Sequence, residues 1–257
     1  MSLSGSLREV VGTLVARFER PLVTVPTNAA AVVTAAAVDS VDARVVIDTE
    51  VTSSLSTRSK MRFVEPTVDV RGGSVDSLVV SDDGGDRLAA VATSGGETLA
   101  VVDDTGVDSF DHVWRTGESV TFDVPAHSEF VGEVHERLGS RAATVVDGGA
   151  SAVDGEVING ATAAWFDPAG LLVFGGARGR CLWSEVVGVA RSTGLCSRRT
   201  LQRRLSTLQE RDLVRTVPAE RETAGGRPNR LEPVDDAVPP TASDDDDLAA
   251  VVGGERR

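Results

Sequence analysis

Hydrophobic positions in the first half of the chain recur with strand and helix spacing, and together they predict an α/β domain. Apolar residues repeat every three or four positions from Leu3 to Phe18, which indicates an amphipathic helix that ends before Pro21. The next predicted elements are a strand at Leu22–Val25, an Ala/Val-rich helix capped by Thr27 or Asn28 that runs to about Val38, a strand at Arg44–Ile47 and a helix over Thr52–Phe63. This alternation of strands and helices favours parallel strand pairing.

Three further apolar runs predict an antiparallel meander at the edge of the same sheet. The runs are Leu78–Ser81, Leu88–Thr93 and Thr98–Val102, and the turns between them are rich in Gly and Asp. The pattern then predicts a helix over Ser109–Thr116, a short strand at Val120–Val124 and a helix over Ala126–Leu138. The sequence therefore suggests a sensing or dimerising α/β domain over residues 1–140, a mixed sheet with flanking helices.

The segment that follows changes in composition. Residues 141–166 are rich in Gly, Ala and Asp and are predicted to be a linker, with one strand at Thr144–Val146. Residues 235–257 combine low hydrophobicity with clustered charge and are predicted to be a disordered acidic tail.

Residues 167–234 have the pattern of three short helices followed by two strands. Asp167 is a good N-cap and Pro168 suits the first helical position, so the first helix is expected to run to about Ala177, where a glycine-rich stop follows. A second helix is predicted over Leu182–Thr193, and Gly194 suits the left-handed turn after it. Ser197 caps the third helix, whose apolar stripe is Leu201, Leu205 and Leu208. Strands are predicted at Leu213–Pro218 and Pro228–Val234, which makes the whole stretch a winged helix-turn-helix.

Charge separates this region from the rest of an acidic chain. Residues 178–230 hold 12 arginines against 5 acids, a net of about +7, whereas the 257-residue chain carries −13. A basic stretch in an acidic chain indicates a polyanionic partner that binds this stretch alone.

The third helix has side chains suited to reading DNA. A recognition helix places the side chains of its first turns against base edges in the major groove, where arginine pairs with guanine and glutamine with adenine. Arg204 and Arg211 lie further along and are expected to meet phosphates or solvent. Two further candidates lie in the turn between the strands and in the second strand. The candidate DNA-binding residues are Ser197, Arg198, Arg199, Thr200, Gln202, Arg203, Arg227 and Arg230.

The stretch CLWSEVVGVARSTGLCSRRTLQRRLSTLQERDLV, followed by GGRPNRLEPV, resembles the C-terminal winged helix of the TbsP-like regulators, a haloarchaeal transcription regulator family. The arginine-rich third helix and the GRP-x-x-L ending carry the resemblance. It implies a cytoplasmic DNA-binding regulator that works beside the sugar-sensing regulator TrmB on central carbon metabolism genes, with an N-terminal domain that senses a metabolite.

The composition of the chain limits the metal, redox and catalytic chemistry that can be expected of it. The chain has one lysine, Lys60, with 25 arginines and 39 acids, a balance typical of a salt-filled cytoplasm. Two cysteines and three scattered histidines predict neither a disulfide framework nor a zinc site, and both cysteines are expected to pack as small apolar residues. His127 is expected to lie at the surface. No P-loop, dinucleotide fingerprint or nucleophile elbow occurs, so neither a cofactor nor catalysis is expected.

Three functions remain open at this stage. The favoured one is a homodimeric transcription regulator that binds double-stranded DNA and takes a small-molecule effector in its N-terminal domain. The alternatives are an α/β enzyme with an accessory helical domain and a winged-helix module that binds protein. The stripe from Leu3 to Phe18 either packs within one chain or pairs with a second copy.

Overall fold

The structure is a computed structural model that describes residues 2–39, 41–82, 87–94, 97–103, 110–148, 167–219 and 228–234. The chain divides into two compact units, residues 1–126 and 127–257. The division falls earlier than the boundary that the sequence suggests after residue 140. The predicted wing tip, including Arg227, most of the predicted linker and the predicted acidic tail lie outside the described residues.

The first unit is a mixed α/β fold, as the sequence predicts. Its strands are β1 (Ser2–Gly5), β2 (Leu22–Val25), β3 (Ala43–Asp48), β4 (Val68–Gly73), β5 (Leu78–Ser81), β6 (Leu88–Ser94), β7 (Glu97–Asp103) and β8 (Glu118–Ser119). Its helices are α1 (Leu7–Arg17), α2 (Asn28–Ala37), α3 (Thr49–Ser54), α4 (Thr57–Phe63) and α5 (Phe110–Thr116). The sheet order is β1-β7-β6-β5-β2-β3-β4-β8, with β2, β3 and β4 parallel and the other pairs antiparallel.

The core of this unit lies on both faces of the parallel strands. All four residues of β2 are buried, as expected for a strand covered on both sides. Helices α1 and α2 cover one face, and Val10, Val11, Leu14, Val15 and Phe18 of the predicted stripe are buried there. On the other face, Leu22 and Val46 pack against Trp114 of α5. The α1 stripe therefore packs within one chain, so it does not provide a surface for a second copy.

Three predictions for this unit are wrong, and one strand is missing from them. The first helix starts at Leu7 rather than Leu3, because Ser6 caps it in a capping box with Glu9 and residues 2–5 form β1. The predicted helix over Thr52–Phe63 is two helices, because Ser56 caps α4 and breaks the run. The strand β4 was not predicted at all. Residues 120–126 contain no strand, and β8 precedes them.

The second unit is mostly helical. It contains α6 (His127–Leu138), a helix over residues 140–148 (α7), α8 (Pro168–Arg178), α9 (Trp183–Ser192), α10 (Arg198–Glu210), and the antiparallel strands β9 (Val214–Pro218) and β10 (Asn229–Pro233). Residues 144–146 are helical, so the strand predicted there is wrong. Ala142, Ala143, Val145 and Val146 are buried, which shows that α7 belongs to the core of this unit rather than to a linker.

Candidate nucleic-acid interface

Helix α8 forms the centre of the second unit. Every residue from Pro168 to Arg178 is buried. Neighbouring helices approach its backbone at two glycines: a Cβ on Gly175 would lie 2.9 Å from the Ala142 carbonyl oxygen, and one on Gly176 would lie 2.5 Å from a methyl carbon of Val186. The helix ends as the sequence predicts, although the left-handed residue after it is Arg180 (φ 54°) rather than a glycine.

Helix α9 and the turn after it have the geometry that the sequence predicts. The backbone N–H of Leu182 donates to Glu185 Oε2 at 2.8 Å, which satisfies one of the free donors at the start of the helix. Gly194 has φ +69°, a conformation that costs a residue with a Cβ about 1–2 kcal/mol. The chain then turns into α10 through residues 195–197.

Helix α10 starts at a side-chain cap. Ser197 Oγ accepts the backbone N–H of Thr200 at 3.2 Å, and the hydroxyls of these two residues lie 3.1 Å apart. These two predicted DNA-binding residues are therefore already hydrogen-bonded to one another at the helix start, where they fix the first turn.

The two faces of α10 differ sharply in character. Leu201, Leu205 and Leu208 are fully buried against the rest of the unit. At 100° per residue, Arg199 and Arg203 lie about 160° and 200° around the helix from Leu201, on the opposite side. Both are exposed, as are Arg198 and Gln202, and within the described residues none of these four side chains forms a hydrogen bond or ion pair. The helix thus presents a cationic face to solvent, on the side opposite its buried leucines.

Arg204 does not belong to that face, and the expectation that it meets phosphates or solvent is wrong. Its Nε lies 3.0 and 3.1 Å from the two carboxylate oxygens of Asp167, and its Nη2 lies 2.5 Å from Oδ2. Asp167 Oδ1 also accepts the backbone N–H of Gly170 at 2.9 Å, so the same carboxylate caps α8. The pair ties the start of α8 to the middle of α10. Arg211 also interacts within the chain rather than standing free.

The two strands close the unit beside α8. Leu231 is buried, and its N–H donates to the Cys181 carbonyl at 2.9 Å, which joins β10 to the segment between α8 and α9. Glu232 accepts hydrogen bonds from Arg215 at 3.0 Å and from Arg230 at 2.8 Å. These hydrogen bonds hold the pKa of Glu232 below its usual range, and the bond from Arg215 has the largest effect. Arg230, a predicted DNA-binding residue, is therefore half-buried and paired along its own strand.

One basic residue outside the sequence-derived set lies beside the start of α10. Arg191 is exposed in the last turn of α9, and it lines a concave surface together with Gly194, Ser197 and Arg198. The cavity there has a volume of about 390 Å³. Sequence reasoning missed Arg191 because a basic residue near a helix C-terminus also has a purely local explanation in the helix dipole.

The cysteines are packed thiols rather than reactive ones. Cys181 is buried and Cys196 is half-buried, and both are free. Burial raises the pKa of each thiol to about 11, and the nearby carboxylates of Glu185 and Asp167 add to the effect at Cys181 and Cys196 respectively. The predicted packing role is confirmed for Cys181. At neutral pH both thiols stay protonated, which disfavours a redox function.

His127 is not at the surface, contrary to the sequence-based expectation. It is buried at the start of α6, and its Nε2 lies 3.0 Å from Asp147 Oδ1 on α7. The pair connects two neighbouring helices of the second unit. Among the described residues, no group of three or more His, Cys, Asp or Glu side chains is placed to hold a metal ion.

The first unit has one described crevice at the carboxyl ends of its parallel strands, where ligands commonly bind in open α/β sheets. Its volume is about 480 Å³, and its lining includes Asp48, Glu50 and Asp76 but no basic residue. One of these acids has further roles, because Asp48 caps α3 and also accepts the N–H of Val75. The acidic lining disfavours anionic metabolites such as sugar phosphates.

Comparison of the chain with models of protein families found no match, and comparison with curated proteins found none either. Over the parts of the chain that the structure describes, no helix combines the length and the apolar character that crossing a bilayer requires.

Proposed function

We propose that the chain is a cytoplasmic DNA-binding transcription regulator whose second unit is a winged helix-turn-helix. In this proposal α9 and α10 are the helix-turn-helix, Gly194 makes the turn, and β9 and β10 are the wing. Helix α10 is the readout helix, and no catalytic step is involved. The resemblance of residues 181–234 to the TbsP-like regulators supports the same function and points to genes of central carbon metabolism.

The observation that carries the proposal is the exposed face of α10. Its arginines have no partner within the described chain, while its leucines anchor the helix in the core. Two other arginines of the same unit, Arg204 and Arg215, each pair with a carboxylate of the chain. Guanidinium groups left free on one helix face suit a ligand that supplies both negative charge and planar hydrogen-bond acceptors.

The dimensions of this face fit duplex DNA. Thirteen residues make a helix about 20 Å long, and the B-DNA major groove is about 12 Å wide, enough to admit it. Arg199 and Arg203 lie one turn apart on the face that would meet base edges, with Gln202 beside them. Arg191 and Arg198 flank the helix start, and we assign them to the sugar-phosphate backbone on either side of the groove.

Duplexes selected from a random pool by the full-length protein provide the test. Arg199→Ala and Arg203→Ala are each expected to weaken binding to the selected duplex by about 1–3 kcal/mol and to relax base preference at one position. Arg191→Ala is expected to weaken binding to selected and scrambled duplexes alike, and to reduce the salt slope by about one unit. Titrations at several salt concentrations separate the two classes.

Arg141→Ala is the matched control, because Arg141 is another exposed arginine of the same unit, on α7. It should bind both duplexes as the wild-type protein does. If no consensus emerges from the pool, the proposed function is wrong. If Arg199→Ala and Arg203→Ala lose affinity equally for both duplexes, these arginines contact phosphates and α10 is not the readout helix.

A further inference from the structure

Three side chains on the exposed face of α10 are placed to read base edges at defined heights along the helix. Arg199, Gln202 and Arg203 are exposed, and none of them forms a hydrogen bond or ion pair within the described residues. At 1.5 Å per residue, Gln202 and Arg203 lie about 4.5 and 6 Å along the axis from Arg199. Base pairs of B-DNA are about 3.4 Å apart, so these heights match three consecutive base pairs.

The neighbouring polar side chains of α10 are held in other positions. The Nε of Arg204 lies 3.0 and 3.1 Å from the two carboxylate oxygens of Asp167. The hydroxyl of Thr200 lies 3.1 Å from that of Ser197, and this pair belongs to the helix cap. Arg198 lines the concave surface beside the turn. In the first two turns of α10, which the structure describes in full, three polar side chains therefore remain for base contacts.

The rotation of α10 and the end that enters the groove are also set by its own residues. The buried leucine stripe fixes the rotation of the helix about its axis, with Arg199 and Arg203 on the opposite side. Glu210 is exposed about 180° around the helix from Leu201, on the same face as these arginines but in the last turn. Phosphates repel its carboxylate, so the helix must enter the groove by its first two turns.

The chemistry of the three side chains selects the bases. A guanidinium group donates two hydrogen bonds to O6 and N7 of guanine, whereas the glutamine carboxamide pairs with N6 and N7 of adenine. The order along the helix is arginine, glutamine, arginine. The matching order of base pairs is G·C, A·T, G·C, with each purine on either strand.

We propose that the DNA site of this protein contains a three-base-pair core, an A·T pair between two G·C pairs, read by Arg199, Gln202 and Arg203 in that order. This inference rests on the proposed function, because α10 must enter the major groove. It adds the identity and the spacing of the bases. Each contact with two hydrogen bonds discriminates against a wrong base by about 5- to 140-fold, so a change in any of the three pairs should weaken binding by that factor.

Selection of duplexes from a random pool by the full-length protein at molar KCl tests the core directly. The wild-type protein should select a consensus that contains the core. Gln202→Arg should change the central pair from A·T to G·C and leave both flanking pairs as they are, because arginine pairs with guanine. Titrations against duplexes with either central pair should show the preference reversed, by about 5- to 140-fold in each direction.

Arg203→Gln is a second variant that keeps the test decisive if Gln202→Arg fails to fold by circular dichroism. It should change one flanking G·C pair to A·T and leave the other two pairs unchanged. The matched control is His135→Arg, which adds an arginine at an exposed position of α6 in the same unit. It should select the same core as the wild-type protein.

The outcomes separate this inference from the proposed function. A consensus without the core overturns the inference and leaves a DNA-reading regulator. So does a folded Gln202→Arg or Arg203→Gln variant that keeps the wild-type core, or a His135→Arg variant that changes it. A pool that yields no consensus overturns the proposed function together with the inference.

Discussion

The carboxylate of Asp167 has two structural roles, and they can be separated by mutation. It caps α8 through the N–H of Gly170, and it holds the guanidinium of Arg204 on α10. The two side chains are 33% and 25% exposed, so solvent screens the pair in part. A lost cap costs about 1 kcal/mol, and we assign the two-oxygen, half-buried pair about 1 kcal/mol as well.

These values predict a specific pattern for four variants. Asp167→Asn keeps a capping oxygen and loses the charge, so it should destabilise the second unit by about 1 kcal/mol. Asp167→Ala loses both roles and should cost about 2 kcal/mol. Arg204→Met keeps the apolar stem and should cost about 1 kcal/mol. The double variant Asp167→Ala, Arg204→Met should cost about 2 rather than 3 kcal/mol, because the pair can be lost only once.

Native-state hydrogen exchange of the full chain is the appropriate assay, because a chain with two units need not unfold in a single transition. Exchange of amides in α8 and α10 reports the stability of the second unit directly. The reasoning is refuted if the cycle gives a coupling below about 0.3 kcal/mol, or if Asp167→Asn matches the wild-type protein. In that case Asp167 acts only as a cap and α10 is held by its leucines alone.

Four further substitutions test the backbone conformation and the acid stability of the chain. Gly176→Ala should destabilise the second unit by about 1–3 kcal/mol, because the added Cβ meets a buried side chain. Gly12→Ala on α1 places its Cβ in open space and should stabilise the first unit by about 0.5–1 kcal/mol. Thermal unfolding compares the two variants. Asp212→Gly should stabilise by about 0.5–1 kcal/mol in urea unfolding, because Asp212 has φ 56°, and a loss of stability would contradict this. The pKa of Glu232 is lower in the folded protein than in the unfolded chain. The stability that Glu232 contributes is therefore fully present above its unfolded-state pKa of about 4.3, and it is lost as the pH falls through its folded-state pKa. Glu232→Gln should therefore flatten the acid limb of the stability profile, and an unchanged limb would rule this out.

The second unit could be predicted closely where its signals are local. Asp167 and Pro168 mark the start of α8, Gly194 makes a left-handed turn, and Ser197 caps α10. Each of these depends on a residue and its neighbours within one helical turn, which the sequence displays directly. The same holds for the leucine stripe, whose period fixes the buried face.

The errors arose where tertiary packing decides the outcome. Helix α7 is built from Ala and Val beside Gly and Asp, a composition that suits a linker until the contact with Gly175 is known. Strand β4 reads Val-Asp-Val-Arg, a weak alternation that becomes a strand because β3 pairs with it over six residues. The Asp167–Arg204 pair joins positions 37 residues apart, and no spacing rule could identify it.

The residues of the candidate site also fall into two groups, those that local sequence signals reveal and those whose surroundings depend on tertiary packing. The exposed arginines of α10 could be predicted from helical period alone, because they lie opposite the leucine stripe. The assignment of Arg204 to phosphates or solvent is wrong because its position around the helix does not reveal the carboxylate of Asp167 beside it. Arg191 is missing from the predicted set because its place in the last turn of α9 already has a local explanation in the helix dipole, and the turn at Gly194 that brings it beside the start of α10 adds a role the helix position alone does not show.

The basic stretch contains arginine and neither lysine nor histidine. Guanidinium groups keep their proton at any pH a cell reaches, and acetylation enzymes act on lysine. Under the proposed function, neither acidity nor lysine acetylation would change the charge that faces the duplex. Ionic strength, in contrast, would act on those contacts directly. Occupancy of an operator would then follow the internal salt of the cell, and the regulator would respond to osmotic state.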